Sequence, residues 1–135
     1  MNDFPKTDTF QDCSGKKITF EYDIFEMPGL YTLNAREVTK KDYGRFFRVY
    51  APNLSDALMN IRVKIRQEIN TRYFSDKTEP FDQMNFDYFR GNISSEEGTN
   101  EPCLIVDGKK MTFDDFKMLI SAHPEFQIEV KFIEG

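Results

Sequence analysis

One histidine, His123, two cysteines, Cys13 and Cys103, and a few neighbouring carboxylates are the residues of this 135-residue chain that could do chemistry. His123, Cys103 and Asp107 are the types that build a nucleophile, a general base and the acid that orients it. Their spacing does not bring them together: His123 precedes Pro124 at a helix end, and Cys103 opens a short apolar run. The expected roles are a helix-end histidine and a core cysteine. A zinc site needs four ligands, and one histidine with two remote cysteines has no ligand spacing, so no metal is expected. Asp114 and Asp115 stand at a helix start, where carboxylates answer the positive helix end. Glu96 and Glu97 fall in a polar loop. Asp82 and Asp87 flank an aromatic stretch, where a hydrolytic carboxylate pair is conceivable but less expected than two solvated acids. Gly91 and Gly108 are isolated, so the chain has no glycine-rich phosphate cradle. No cofactor and no catalysis are expected.

Binding is the better expectation, and residues 54–73 carry it. Leu54, Leu58, Ile61, Ile65 and Ile69 recur at helical spacing and form one apolar stripe. Met59 and Val63 fall near the opposite side, flanked by Arg62 and Arg66. Such a helix either sits between two layers of its own protein or shows its back to a partner. Downstream, Phe81, Met84, Phe86, Tyr88 and Phe89 crowd one stretch, with Tyr73 and Phe74 shortly before it. Aromatic residues, methionine and arginine mark interface cores, although rings of this kind also seal the halves of a domain. The expected protein-contact set is Met59, Val63, Arg66, Phe86 and Tyr88, for a protein partner or a second copy. A competing set is Arg45, Phe46, Arg48 and Tyr50, which interleave cations and rings along one strand as single-stranded nucleic-acid readers do. Arg62, Arg66 and Arg72 would extend that surface.

Charge favours the first set. The chain carries a net −5, which opposes attraction to nucleic acid or anionic membrane. The charge is uneven: residues 36–77 hold ten Lys/Arg against five Asp/Glu, the remainder eight against eighteen. The expectation is that basic and acidic segments are solvated or face each other. An acidic chain suits a basic partner, for example a nucleic-acid-binding enzyme whose groove it would block. With 39% hydrophobic and 30% charged residues the chain is globular. Fourteen phenylalanines are more than a small core readily hides, so some are expected at a surface. Two cysteines make no disulfide framework, the start reads as no targeting segment, and no apolar run is long enough for a membrane span. A cytoplasmic location is the expectation, and the sequons at Asn53 and Asn92 carry no weight there.

Elements must position these side chains. Residues 1–16 read as a flexible arm, and 17–135 as a single α+β domain. Its first half, 17–74, is βββα: strands at Lys17–Phe25, Leu30–Val38 and Arg45–Ala51, then the long helix capped by Asn53. Pro28-Gly29 and Lys40–Gly44 are the connections, and residues 74–80 lead on from the helix. The second half, 81–135, is (β)βαβ: a short strand within Phe86–Gly91, a loop at Ser94–Pro102, and a strand at Cys103–Val106. An Asp107-Gly108 turn follows, then a helix from Thr112 with Asp115 as its capping pair, and a final strand at Glu125–Ile133. The architecture expected is a three-stranded antiparallel sheet with a long helix, and a smaller βαβ unit packed on it.

Residues Tyr31–Tyr73, with Ala51-Pro52-Asn53-Leu54-Ser55-Asp56-Ala57-Leu58 at the helix opening, resemble the βββα core of HicB-type antitoxins. The Pro-x-x-Gly-Cys stretch of that family is absent, as is a DNA-binding tail, so the resemblance implies that core and not the antitoxin function. The whole chain is similar to an uncharacterised group of small bacterial domains, through Ile65–Phe74 and Ile105–Phe132. That resemblance implies domain limits and a bacterial or phage origin.

Overall fold

Alternation along Lys17–Met27 builds the longest strand of the computed structural model, which describes residues 4–41, 43–77, 80–96 and 98–134. The readings at Asp42, Glu97 and part of 74–80 therefore lie outside the described residues. The chain groups into two compact units, Met1–Lys40 with Gly44–Thr71 and Glu134–Gly135, and Lys41–Tyr43 with Arg72–Ile133.

The first unit is a four-stranded antiparallel sheet in chain order, β1 (Thr7–Gln11), β2 (Lys17–Met27), β3 (Leu30–Glu37) and β4 (Phe46–Ala51), with one helix, α1 (Leu54–Ile69). Period-two patterning puts Ile18, Phe20, Tyr22, Leu33, Ala35, Phe47 and Ala51 on one face, where they bury against α1. The helix answers with Ala57, Ile61, Ile65 and Ile69, spaced to share its inner face. Asn53 caps it by accepting from the Asp56 amide at 2.8 Å. The β2–β3 hairpin closes at Pro28-Gly29, where Gly29 supplies the positive φ of 75°.

Three expectations are corrected here. The sheet has four strands, because residues 7–11 are β1 and not a loose arm. Asp12 makes this possible: its Oδ1 accepts from the amides of Ser14 at 2.9 Å and Lys16 at 3.0 Å, turning the chain back on itself. Phe10 then packs edge-on against Phe20, with ring centroids 6.0 Å apart. The helix also stops at Ile69 and not Tyr73. Asn70 and Thr71 end it, their side chains donating to the carbonyls of Arg66 at 2.8 Å and Gln67 at 2.9 Å.

The second unit is a three-stranded antiparallel sheet, β5 (Asn92–Ser95), β6 (Pro102–Val106) and β7 (Lys109–Met111), followed by α2 (Phe113–Ser121). Asp107 and Gly108 both take positive φ, 54° and 74°, as the two-residue turn between β6 and β7 demands. Asp107 also anchors the unit's entry: its two carboxylate oxygens accept from the amides of Tyr73 and Phe74, each at 2.9 Å. Those two rings, with Phe81, Val106 and Met111, form the buried core. The Thr112–Asp115 capping box opens α2 as expected.

The expected βαβ order is not found. Its first strand lies at β5, not within Phe86–Gly91, and Glu125–Ile133 is in no sheet. Gly91 sets the start of β5: a Cβ there would stand 2.8 Å from both the Ile105 carbonyl oxygen and Val106 Cγ2. The segment after α2 keeps its strand pattern but has no strand beside it. Among the described residues, no helix is long and apolar enough to cross a membrane.

Candidate protein interface

The face of α1 turned away from the sheet is where the sequence places its first contact residues. Met59 is 58% exposed and Val63 48% exposed, large values for apolar side chains in the middle of a helix. With Ser55, Leu58, Arg62 and Arg66 they line a shallow groove.

The arginines of that groove are held by the first unit itself. Arg62 Nε donates to Asp8 Oδ2 at 2.7 Å and Nη2 to Oδ1 at 3.2 Å, a bidentate pair from α1 to β1. Tyr22 of β2 donates its hydroxyl to the same Oδ2 at 2.6 Å. Burial raises the Asp8 carboxyl, but the hydrogen bonds from Arg62 and Tyr22 and the Arg62 charge outweigh it and hold the group below its ordinary value. Burial, then the bond to Asp8 and its charge, push the Tyr22 phenol well above the usual tyrosine range. Arg66 lies over the Phe10 ring, 5.4 Å from its centroid. The groove's cations are thus braces, and its exposed chemistry is the methionine and the valine. Asp8 and Tyr22 are participants that sequence reasoning missed. Asp8 sat in a stretch read as an arm, so nothing pointed to a partner for Arg62.

Phe86 and Tyr88 belong to the second unit. They stand with Tyr73 in a three-ring group: Phe86 and Tyr88 are 5.6 Å apart at 32°, and each meets Tyr73 edge-on, at 6.3 and 5.9 Å. Tyr73 is buried, while Phe86 and Tyr88 are about half exposed. The rest of the aromatic segment faces inward, with Phe81 and Phe89 packed edge-on against Phe74 at 5.3 and 5.2 Å. The expected contact set therefore divides between the units, three residues on α1 and two on this ring group.

The alternative set lies on β4 and its approach. Arg45 is largely covered and pairs with Glu37 at 3.6 Å. Phe46 is flanked by two guanidinium groups, Arg36 at 4.9 Å and Arg48 at 5.3 Å from its centroid. Arg48 Nε also donates to the buried Asn34 Oδ1 at 2.7 Å. Tyr50 is exposed. Acids meet the cations of the first sheet: Arg36 pairs with Asp23 at 3.8 Å across β2 and β3.

The residues with catalytic potential are engaged elsewhere. Both oxygens of Asp107 hold backbone amides, and Asp115 Oδ2 accepts from the Thr112 amide at 2.9 Å. His123 Nδ1 lies 2.9 Å from the Leu119 carbonyl. Cys103 is buried in β6 and Cys13 is exposed, and neither is in a disulfide. Among the described residues, no group of three or more His, Cys, Asp or Glu could hold a metal ion.

Two family models match the chain. One, described as Domain of unknown function (DUF7686), covers residues 2–70, and the other, Domain of unknown function (DUF7713), covers residues 73–135. Their junction falls where the compact units divide, between Thr71 and Arg72. No curated protein and no solved structure matches.

Proposed function

We propose, for a chain that belongs to the family described as Domain of unknown function (DUF7686), that it acts by binding another protein and not by catalysis. The observation that carries the reading is the outward face of α1, where Met59 and Val63 stand exposed between arginines already braced by Asp8 and Phe10. Burying such a pair against a partner gains apolar area without breaking any internal contact. Phe86 and Tyr88 give the second unit a contact surface of the same kind, with Tyr73 as its rigid support. The net charge of −5 favours a basic partner, so an acidic regulator that covers a basic surface is the concrete form of the proposal. The strand–helix order that resembles HicB-type antitoxins fits a bacterial or phage interaction protein working in the cytoplasm. Engagement of Asp107, Asp115 and His123 in local structure supports a role without chemistry.

The experiment is affinity capture with and without nuclease, comparing the wild type with Met59→Asp and Phe86→Asp, each checked for fold by circular dichroism. The expected result is a discrete protein that survives nuclease and is lost with either variant while the fold persists. Unfolding by either substitution would make that residue core and remove it from the proposal.

The second reading is single-stranded nucleic-acid binding, favoured by the Arg36–Phe46–Arg48 arrangement beside the exposed Tyr50. Its mark would be recovery of nuclease-sensitive material alone, lost in Arg48→Ala and Tyr50→Ala and falling steeply with salt.

A further inference from the structure

The segment that follows α2 has the residue pattern of a strand but is in no sheet. Phe126 bonds its amide to the His123 carbonyl at 3.3 Å, and the Glu134 carbonyl accepts from Lys64 Nζ at 3.4 Å. Between them, among the described residues, the backbone of 127–133 makes no hydrogen bond within the chain. Seven amides and seven carbonyls in a row are left to water. The side chains still alternate, and the apolar ones are open: Phe126 75%, Ile128 65%, Val130 67% and Phe132 80% exposed. Unused backbone groups and an alternating apolar face are what an added strand consumes.

The charges name the occupant. When two copies of one strand pair antiparallel about a two-fold axis, residues equally far on either side of the axis stand opposite each other. With the axis at Val130, Glu129 of each copy faces Lys131 of the other, and Ile128 faces Phe132. Val130 meets itself, and one face of the ribbon is wholly apolar. With the axis at Glu129, two glutamates face each other. A parallel, in-register pair stacks Glu129 on Glu129 and Lys131 on Lys131. Opposite charges placed directly across a ladder stabilise it and like charges do the reverse. The unbonded stretch 127–133 is itself centred on residue 130, so the register chosen by charge also pairs the whole stretch, with the backbone groups of alternate residues bonding across the ladder.

We propose that residues 127–133 form the dimer interface of this protein, pairing antiparallel with the same segment of a second copy about an axis at Val130. A two-stranded ribbon is marginal alone and needs an apolar surface beneath it. The helix just before it supplies one: α2 has no buried residue, and its Phe113 and Ile120, seven positions apart and so on one face, are exposed. This inference goes beyond the partner-binding reading and does not depend on Met59 or Phe86.

The test is the mass of the full chain by light scattering across a concentration series. The wild type is expected at twice the 15.9 kDa of one chain, and Val130→Glu at 15.9 kDa with an unchanged circular dichroism spectrum. Glu129→Lys alone should shift the dimer toward monomer, and adding Lys131→Glu should restore it. In a Cys13→Ser background, Val130→Cys should form a disulfide between copies under mild oxidation, since facing residues in a ladder have Cα atoms at disulfide distance. A monomeric wild type at high concentration would overturn the proposal. So would a dimer that survives Val130→Glu, a charge exchange that fails to rescue, or a Val130→Cys chain that does not cross-link.

Discussion

The two units solve the same problem to different degrees. In the first, sheet and helix complete each other: the inner face of β1–β4 is closed by Ala57, Ile61, Ile65 and Ile69, and Asp8, Tyr22 and Arg62 pin helix to strands. In the second, a three-stranded sheet has a small core around Phe74, while α2 buries no residue completely and the segment after it exposes every apolar side chain. Both have strand alternation and a capped helix, so the difference is not one of local propensity. It lies in what the apolar faces find to pack on. The first unit closes its core with its own helix, and its exposed apolar residues, among them Phe25, Met27, Met59 and Val63, lie outside that core. The second has a helix that sets only Phe116 and Leu119 against its core, followed by a segment whose apolar side chains are open, which is the condition for association.

Substitutions should separate the two. The largest effect is expected at Phe20, fully buried between Phe10 and Phe47. Phe20→Ala should cost about 3–5 kcal/mol, measured by denaturant unfolding, whereas Phe132→Ala should leave the unfolding of a dilute sample almost unchanged. An equal loss at both positions would erase the contrast. In the second unit, Gly91→Ala would drive a Cβ into the Ile105 carbonyl and should cost about 2 kcal/mol, read as loss of the transition of that unit alone.

A smaller effect tests the pinning of α1. Arg62→Ala should destabilise the first unit by about 1–2 kcal/mol, a modest figure because the pair is partly exposed to solvent. The sign of its pH dependence follows from Asp8. The folded carboxyl lies below the unfolded value of 3.8, so its contribution is present above that value and is lost as pH falls through the folded one. Acid unfolding monitored by fluorescence should therefore be less steep in Arg62→Ala than in the wild type, and parallel curves would show that the pair does not couple to folding.

Much of this was legible in the residues. Alternation in Lys17–Phe25, Leu30–Val38 and Arg45–Ala51 marked β2, β3 and β4, and Asn53 and Thr112 marked both helix starts. Strand β1 was not, because Phe10 is its only buried residue and Thr7, Asp8 and Thr9 read as loop. Only the Asp12–Gly15 turn signalled that the chain returns. Strand β5 hid in a serine-rich stretch for a similar reason: none of its four residues is buried and Ile93 is exposed, so it carries no apolar alternation. The segment after His123 shows the opposite case. Its alternation was plain, but periodicity states which face is apolar and not what pairs with it. On the contact surfaces, exposure of Met59 followed from its angle on the helix. Bracing of Arg62 by Asp8 did not, since it spans 54 positions.

Hydrogen exchange of the full chain, followed amide by amide as concentration rises, tests the contrast most directly. The account predicts that Ile61 and Ile65 are protected at every concentration, while the alternate amides within Ile128–Phe132 that face the partner strand exchange freely when dilute and become protected when concentrated. Protection of Ile128–Phe132 that is already complete in dilute solution, or that never develops, would contradict it.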